Sequence, residues 1–196
     1  NASGPMMYSV DGFRITVTGR GAHGASPHSS IDPINIAVHV YLALEALIAL
    51  LVDCREAGGK PYACSAYRSY ETQAALFEDK LGRVRATGLD ESLAYIEAAR
   101  SVARPGTSEH QSGLCVDFMS DAQSTLDNGF EGTMGFRWLS ENAYKYGFIL
   151  RYPKDKTDVT SYDYESWHYR FVGRYHATAI AESGLCFEEY LNSMEK

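Results

Sequence analysis

Ser108-Glu109-His110-Gln111-Ser112-Gly113-Leu114-Cys115-Val116-Asp117 sets a histidine before a glycine and an aspartate after it, the latter inside a run of alternating character. Further along, Glu165-Ser166-Trp167-His168 supplies a second histidine, with a carboxylate three residues ahead of it. His110, Asp117 and His168 together form a donor set suited to hydrolytic zinc. Two neutral imidazoles and one carboxylate leave the ion net positive charge and a fourth position open for water, whose pKa then falls toward ~7. Glu165, kept off the metal, could accept the proton of that water and pass it to a leaving amine. Each residue also has a plainer reading. A histidine before glycine serves loops and caps, and a glutamate near tryptophan is commonly a solvated charge. Spacing alone leaves the two readings evenly balanced.

Upstream, Ser65-Ala66-Tyr67-Arg68-Ser69-Tyr70-Glu71-Thr72-Gln73 puts an arginine where a strand hands over to a helix. A guanidinium over the end of a sheet can clamp a carboxylate or a developing oxyanion. Taken alone, Arg68 is as well explained by pairing with Glu71 or by capping the helix. Working outward, periodicity and turn signals predict strands over 13–18, 62–66, 113–118, 148–152 and 167–172. Helices are predicted over 32–55, 70–81, 90–102, 136–146, 175–182 and 187–192, with loops at 19–30 and 104–112. Asp32 caps the first helix, Pro33 opens it, and Gly58-Gly59 stops it. Strands and helices do not strictly alternate, so the class expected is α+β.

The chain of 196 residues has room for one ordinary domain, or one plus a small appendage. Its formal net charge of −7, with 18 Lys and Arg scattered among 25 acids, shows no basic patch and argues against nucleic acid as a partner. The longest apolar stretch, 37–52, includes His39 and Glu45 and is shorter than the ~20 residues that span a bilayer. It reads as a buried helix, so no lipid-embedded segment is expected. No signal-peptide pattern is read at the N-terminus. Cys54, Cys64, Cys115 and Cys186 match no zinc-ribbon spacing; a Cys54–Cys64 bridge and four small buried hydrophobes are the two readings.

With these residues assembled, the chain resembles the VanY-type D-alanyl-D-alanine carboxypeptidases, zinc peptidases that share their fold with the hedgehog signalling domain. The resemblance runs from about residue 46 to 192. It rests on Tyr67, Arg68, Ser69 and Gln73, on SxHxxGxxxD (Ser108, His110, Gly113, Asp117) and on ExWH (Glu165, Trp167, His168). It implies a zinc carboxypeptidase domain over 46–196, with a small antiparallel sheet flanked by helices. The implied ligands of Zn2+ are His110, Asp117 and His168. Glu165 is implied as general base and acid, and Arg68 as the residue that steadies the tetrahedral intermediate or orients the carbonyl. Ser108, Gln73 and Tyr67 are implied substrate contacts, Ser108 at the terminal carboxylate, and Trp167 a wall of the pocket. Cys115 stands where the family usually carries a small residue such as alanine. On a strand it would share a face with Asp117. The implied partner is a peptidoglycan stem peptide, which loses its terminal D-alanine, and the implied location is the cell surface or periplasm.

Residues from about 4 to 49 resemble instead part of the dimerisation domain of aminoacylase-type amidohydrolases. The matching residues are Gly4-Pro5-Met6-Met7, Phe13-Arg14-Ile15-Thr16-Val17, Gly21 to His28, and Asp32-Pro33-Ile34. This gives an atypical N-terminal segment over 1–45, to which no catalytic role for His23 or His28 is assigned. Its strand would pack on the catalytic domain or self-associate through its edge. Rival readings are an L,D-carboxypeptidase acting on tetrapeptide stems, a cross-link endopeptidase, and a non-catalytic wall-binding module with structural zinc.

Overall fold

The computed structural model describes residues 15–23 and 29–195. The chain divides into two compact units, Asn1–His39 and Val40–Lys196. In the first, Arg20 and Ile31 exchange both backbone hydrogen bonds, at 3.0 and 2.8 Å, forming an isolated antiparallel bridge. The strand expected over 13–18 is not formed where it is described, at 15–18. A strand needs a neighbour for its backbone polar groups, and in the described part of this segment only the Arg20–Ile31 bridge supplies one. The matching residues 4–14 and 24–28 lie outside the described residues.

Helix α1 spans Pro33–Glu56. The Asp32 carboxylate accepts from the amide of Ile34 at 2.9 Å, as its capping position predicts. The expectation of a buried helix is wrong: only Ala43, Leu50 and Cys54 are buried, while Ile34, Tyr41, Leu42 and Ile48 are exposed. The helix extends past the apolar run at both ends. By length and composition alone it is apolar enough to cross a membrane, a property it shares with core helices and leader sequences.

In the second unit, β1 (Pro61–Ser65), β2 (Cys115–Ser120), β3 (Phe148–Leu150) and β4 (His168–Phe171) form one antiparallel sheet in the order β1-β2-β4-β3. Side chains alternate across its two faces. Val116 and Phe118 of β2 and Tyr169 of β4 join Leu50, Phe130, Leu139, Ala143 and Phe148 in the main core. Cys115, Asp117 and His168 occupy the opposite face. Helices α2 (Tyr70–Arg85) and α3 (Glu91–Ala99) pack through Phe77, Leu81, Val84, Ala94 and Ala98. Ser69 and Asp90 cap them by accepting from the amides of Thr72 and Leu93. Helix α4 (Met134–Asn142) and the short α5 (Thr157–Thr160) precede α6 (Arg174–Ser183) and α7 (Phe187–Met194). Ile149 of β3 packs with Ala177 and Ile180 of α6 and Tyr190 of α7.

The antiparallel α+β architecture is the one expected, and the element ends shift by a few residues. No disulfide joins Cys54 to Cys64; all four cysteines are free. Cys54 is buried on α1 beneath Gly59, whereas Cys64 is exposed on β1 with its thiol donating to the Asp117 carbonyl at 3.3 Å. The segment expected as loop over 104–112 ends in a 3-10 turn, Glu109–Ser112, closed by Gly113 at φ 72°. That left-handed conformation suits glycine and turns the chain into β2.

Candidate active site

Register brings the first two site residues together. Asp117 lies opposite His168 across the β2–β4 pair and beside Ser65 across β1–β2. Directly opposed residues of antiparallel strands project to the same face. The 3-10 turn before β2 then carries His110 over that face, where its Nε2 is 3.3 Å from the Asp117 carboxylate. His110 Nδ1 donates to the carbonyl of Ala66 at 2.5 Å; a carbonyl can only accept, so in the neutral ring Nε2 is the bare nitrogen. His168 Nδ1 is 2.8 Å from Asp117 Oδ1. The donor atoms of His110, Asp117 and His168 all lie within 4.8 Å of one another, and all three side chains are buried. Burial opposes charge on Asp117, but the two histidines hold its carboxyl well below the usual carboxylate range. His168 Nε2 is buried without a hydrogen-bond partner. Two imidazoles and a carboxylate gathered in this way fit Zn2+.

Glu165 enters from the turn that precedes β4, in which the His168 amide donates to the Glu165 carbonyl at 3.4 Å. Its carboxylate comes within 4.0 Å of His168 Nδ1 and is only 8% exposed. Burial, with Asp117 nearby, pushes its carboxyl up to about 7 even though His168 and Arg68 pull the other way. Arg68 follows β1. Its Nη2 donates to Asp117 Oδ2 at 2.7 Å, its Nε to Ser65 Oγ at 3.0 Å and its Nη1 to Gln73 Oε1 at 3.3 Å. The pairing with Glu71 or helix cap that a lone arginine would suggest is not what it makes.

These groups line one cleft of about 560 Å³, together with Ser108, Trp167 and Tyr152. Two expected substrate contacts lie elsewhere. Gln73 is fully buried, its amide donating to the Ala103 carbonyl at 2.7 Å beneath Arg68, so it faces the guanidinium rather than the cleft. Tyr67 is 68% exposed and does not line the cleft.

The structure adds three residues without a role in the sequence, Glu109, Arg151 and Tyr152, and sets Cys115 beside them. Glu109 accepts from Arg151 Nε at 2.9 Å and stands 3.7 Å from His168 Nε2. Burial would raise its carboxyl, but His168, Arg151 and Arg170 hold it down to about 2. Cys115 is buried on the Asp117 face, as a strand position implied, and its thiol donates to Glu109 Oε2 at 3.4 Å. The Tyr152 ring stacks on the His168 imidazole, 5.1 Å between centroids and 20° from parallel. A glutamate between Ser108 and His110 was the one visible signal for this group. Arg151 and Tyr152 left none.

A sheet that keeps its core on one face carries on the other a donor set that fits zinc, beside a buried carboxyl, which is the arrangement of a hydrolytic zinc site. The family model described as VanY, D-alanyl-D-alanine carboxypeptidase, matches residues 37–174, and the chain belongs to that family. A D-alanyl-D-alanine carboxypeptidase of Enterococcus faecalis is 45% identical over 165 residues, 84% of this chain and 58% of that protein. A VanB-type VanY solved in complex with D-alanine-D-alanine is 38% identical, with a TM-score of 0.68, covering 96% of this chain and 91% of that one. A mutant VanY from a VanB-type resistance cassette was solved with Zn(II), at 39% identity, a TM-score of 0.67 and 90% coverage of both chains. The LdcB LD-carboxypeptidase is also similar, at 38% identity and a TM-score of 0.67, covering 77% of this chain and 67% of that one. The chain spans 58% and 54% of two curated relatives it matches. A short match of another kind is an N-acyl-L-amino acid amidohydrolase of Geobacillus stearothermophilus, 44% identical over 50 residues, 26% of this chain and 14% of that protein.

Proposed function

We propose that this chain removes the C-terminal D-alanine from peptidoglycan stem peptides as a D,D-carboxypeptidase. The observation that carries the reading is the placement of Glu165: a buried carboxyl within 4.0 Å of a histidine of the donor set, in the cleft that His110 and Asp117 also line. A carboxyl off the donor set but beside it can both take and give a proton.

His110 Nε2, an Asp117 oxygen and His168 Nδ1 would hold the zinc. When bound, the ion supplies a Lewis acid that polarises a carbonyl and acidifies water. Glu165 takes a proton from the attacking water and returns it to the amine of the departing D-alanine. Arg68, held from behind by Ser65 and Gln73, offers its guanidinium to the scissile carbonyl as negative charge develops there. In this reading Ser108, buried at the cleft wall, bonds the terminal carboxylate, and Trp167 walls the pocket; both line the cleft. Such a substrate implies work outside the cytoplasm.

Zinc-loaded protein incubated with a pentapeptide stem should release free D-alanine; no release from pentapeptide or tetrapeptide stems would end the proposal. The L,D reading is favoured by the likeness to the LdcB LD-carboxypeptidase. A strong preference for the tetrapeptide in the same assay would replace the D,D reading with it. For the segment over 1–45 we infer self-association. Its support is not a strand edge but the apolar side chains exposed on α1, among them Ile34, Tyr41 and Leu42. Light scattering that gives a monomer at all concentrations would end that inference.

A further inference from the structure

We propose that Glu109 is the positioning residue for His168: its carboxylate accepts a hydrogen bond from the Nε2–H of the imidazole and so keeps Nδ1 bare toward the metal. This rests on the zinc reading above. A neutral imidazole has one N–H and one bare nitrogen, and the bond made by one fixes the role of the other. His110 settles this locally, through the carbonyl of Ala66. His168 has no carbonyl in that place; its Nε2 is buried and without a hydrogen bond, and Glu109 Oε2 stands 3.7 Å away. A small shift of either side chain closes that gap.

The surroundings restrict the choice of acceptor. Cys115, the other neighbour of His168 Nε2, uses its thiol to donate to Glu109 and is in any case a weak acceptor. Glu109, Cys115 and His168 also gather their donor atoms within 4.8 Å, the spacing of a second metal site. Arg170 Nη1 donates to Cys115 Sγ at 3.8 Å, and Arg151 holds the other Glu109 oxygen. Two guanidiniums beside the cluster oppose a second cation and leave Glu109 as a hydrogen-bond acceptor. Glu109 is itself held, because Arg151 forks back to Glu188 of α7, with Nη1 donating at 3.0 Å. Tyr152, stacked on the imidazole, holds the plane of the ring while Glu109 fixes its direction within that plane. Partners of this kind behind a metal-binding histidine change metal affinity by roughly 10–100-fold.

The test is zinc affinity of the full chain, measured by competition with a chromophoric chelator and paired with the 15N imidazole spectrum of the zinc-loaded protein. Glu109→Gln should bind zinc at least about tenfold more weakly than wild type, and the protected Nε2–H signal of His168 should move. Glu109→Asp, which keeps the charge and the Arg151 pair but draws the carboxylate back, should also weaken zinc, and it serves if the glutamine variant does not fold. Glu188→Gln loosens Arg151 but touches neither Glu109 nor His168, and should cost less zinc affinity than either Glu109 variant. Wild-type zinc affinity in both Glu109 variants, or an equal loss in Glu188→Gln, would overturn the assignment. A wild-type chain that binds no zinc would overturn the functional reading itself.

Discussion

Helix α1 and the cleft-facing side of the sheet invert the usual rule of burial. The helix is the most apolar segment of the chain, yet it presents Tyr41, Leu42, Ile48 and Val52 to solvent. The sheet face and the turns beside it carry His110, Asp117, Glu165 and His168, and all four are buried. Hydrophobicity therefore does not decide which surface is sealed here. Cross-strand register and the ion pairs around Asp117 and Glu109 do, because buried charges persist only where partners meet them. The helix keeps what it needs for folding in one narrow stripe, Leu50 above all, which sits in the main core.

The sharpest way to break the comparison is at the buried carboxyl. Glu165→Gln should lower D-alanine release by about 10²–10⁴-fold while zinc stays bound. Near wild-type turnover would show that the buried charge is structural. Leu50→Ala tests the stripe: a fully buried leucine cut to alanine should cost about 2–5 kcal/mol in denaturant unfolding. A loss below about 1 kcal/mol would mean that α1 contributes little to the core.

The pH response of the metal-free protein separates the two regions further. The Glu165 carboxyl is raised from 4.5 to about 7 by burial, so between those values the folded chain keeps a proton that the unfolded chain has released. Stability from this group is complete below about pH 4.5 and is lost as pH rises through about 7. Metal-free Glu165→Gln should thus exceed wild type by about 1–3 kcal/mol near pH ~8 and match it near pH ~4. The smallest effect belongs to the exposed side of α1. Ile48→Ser, at a position 62% exposed, should change stability by no more than about 0.5 kcal/mol. A larger loss that grows with protein concentration would show that another molecule covers that side in solution.

The residues of the candidate site are legible as two short segments, which the structure brings together, while their roles come from the resemblance. His110, Gly113 and Asp117 fall on one turn and one strand, and Glu165 and His168 on one turn, so local geometry carries them. Arg68 was legible as a position, but its partner Asp117 was not, since strand pairing makes that contact. The resemblance implies Gln73 as a substrate contact, but the helix turns it inward, beneath the guanidinium. Glu109 lies inside the quoted motif without a role, because Arg151, which holds it, is remote in sequence, and a strand prediction over 148–152 says nothing of which carboxylate its arginine meets. The burial of α1 was misjudged for the opposite reason. An apolar run reports a preference for burial, while the surface available to cover it is a property of the whole fold. The strand over 13–18 failed on the same ground, a pattern with no neighbour to pair with among the described residues.

The pairing of Asp117 with His168 across β2 and β4 has one more consequence. Sliding either strand by a single residue would send its site side chain into the oily interior and bring Val116 or Tyr169 out into the cleft. A mispaired sheet would lose its interior and its donor set in the same stroke. Correct threading of this sheet and assembly of the chemistry are therefore a single event, and a chain able to hold the ion has already proofread its own fold.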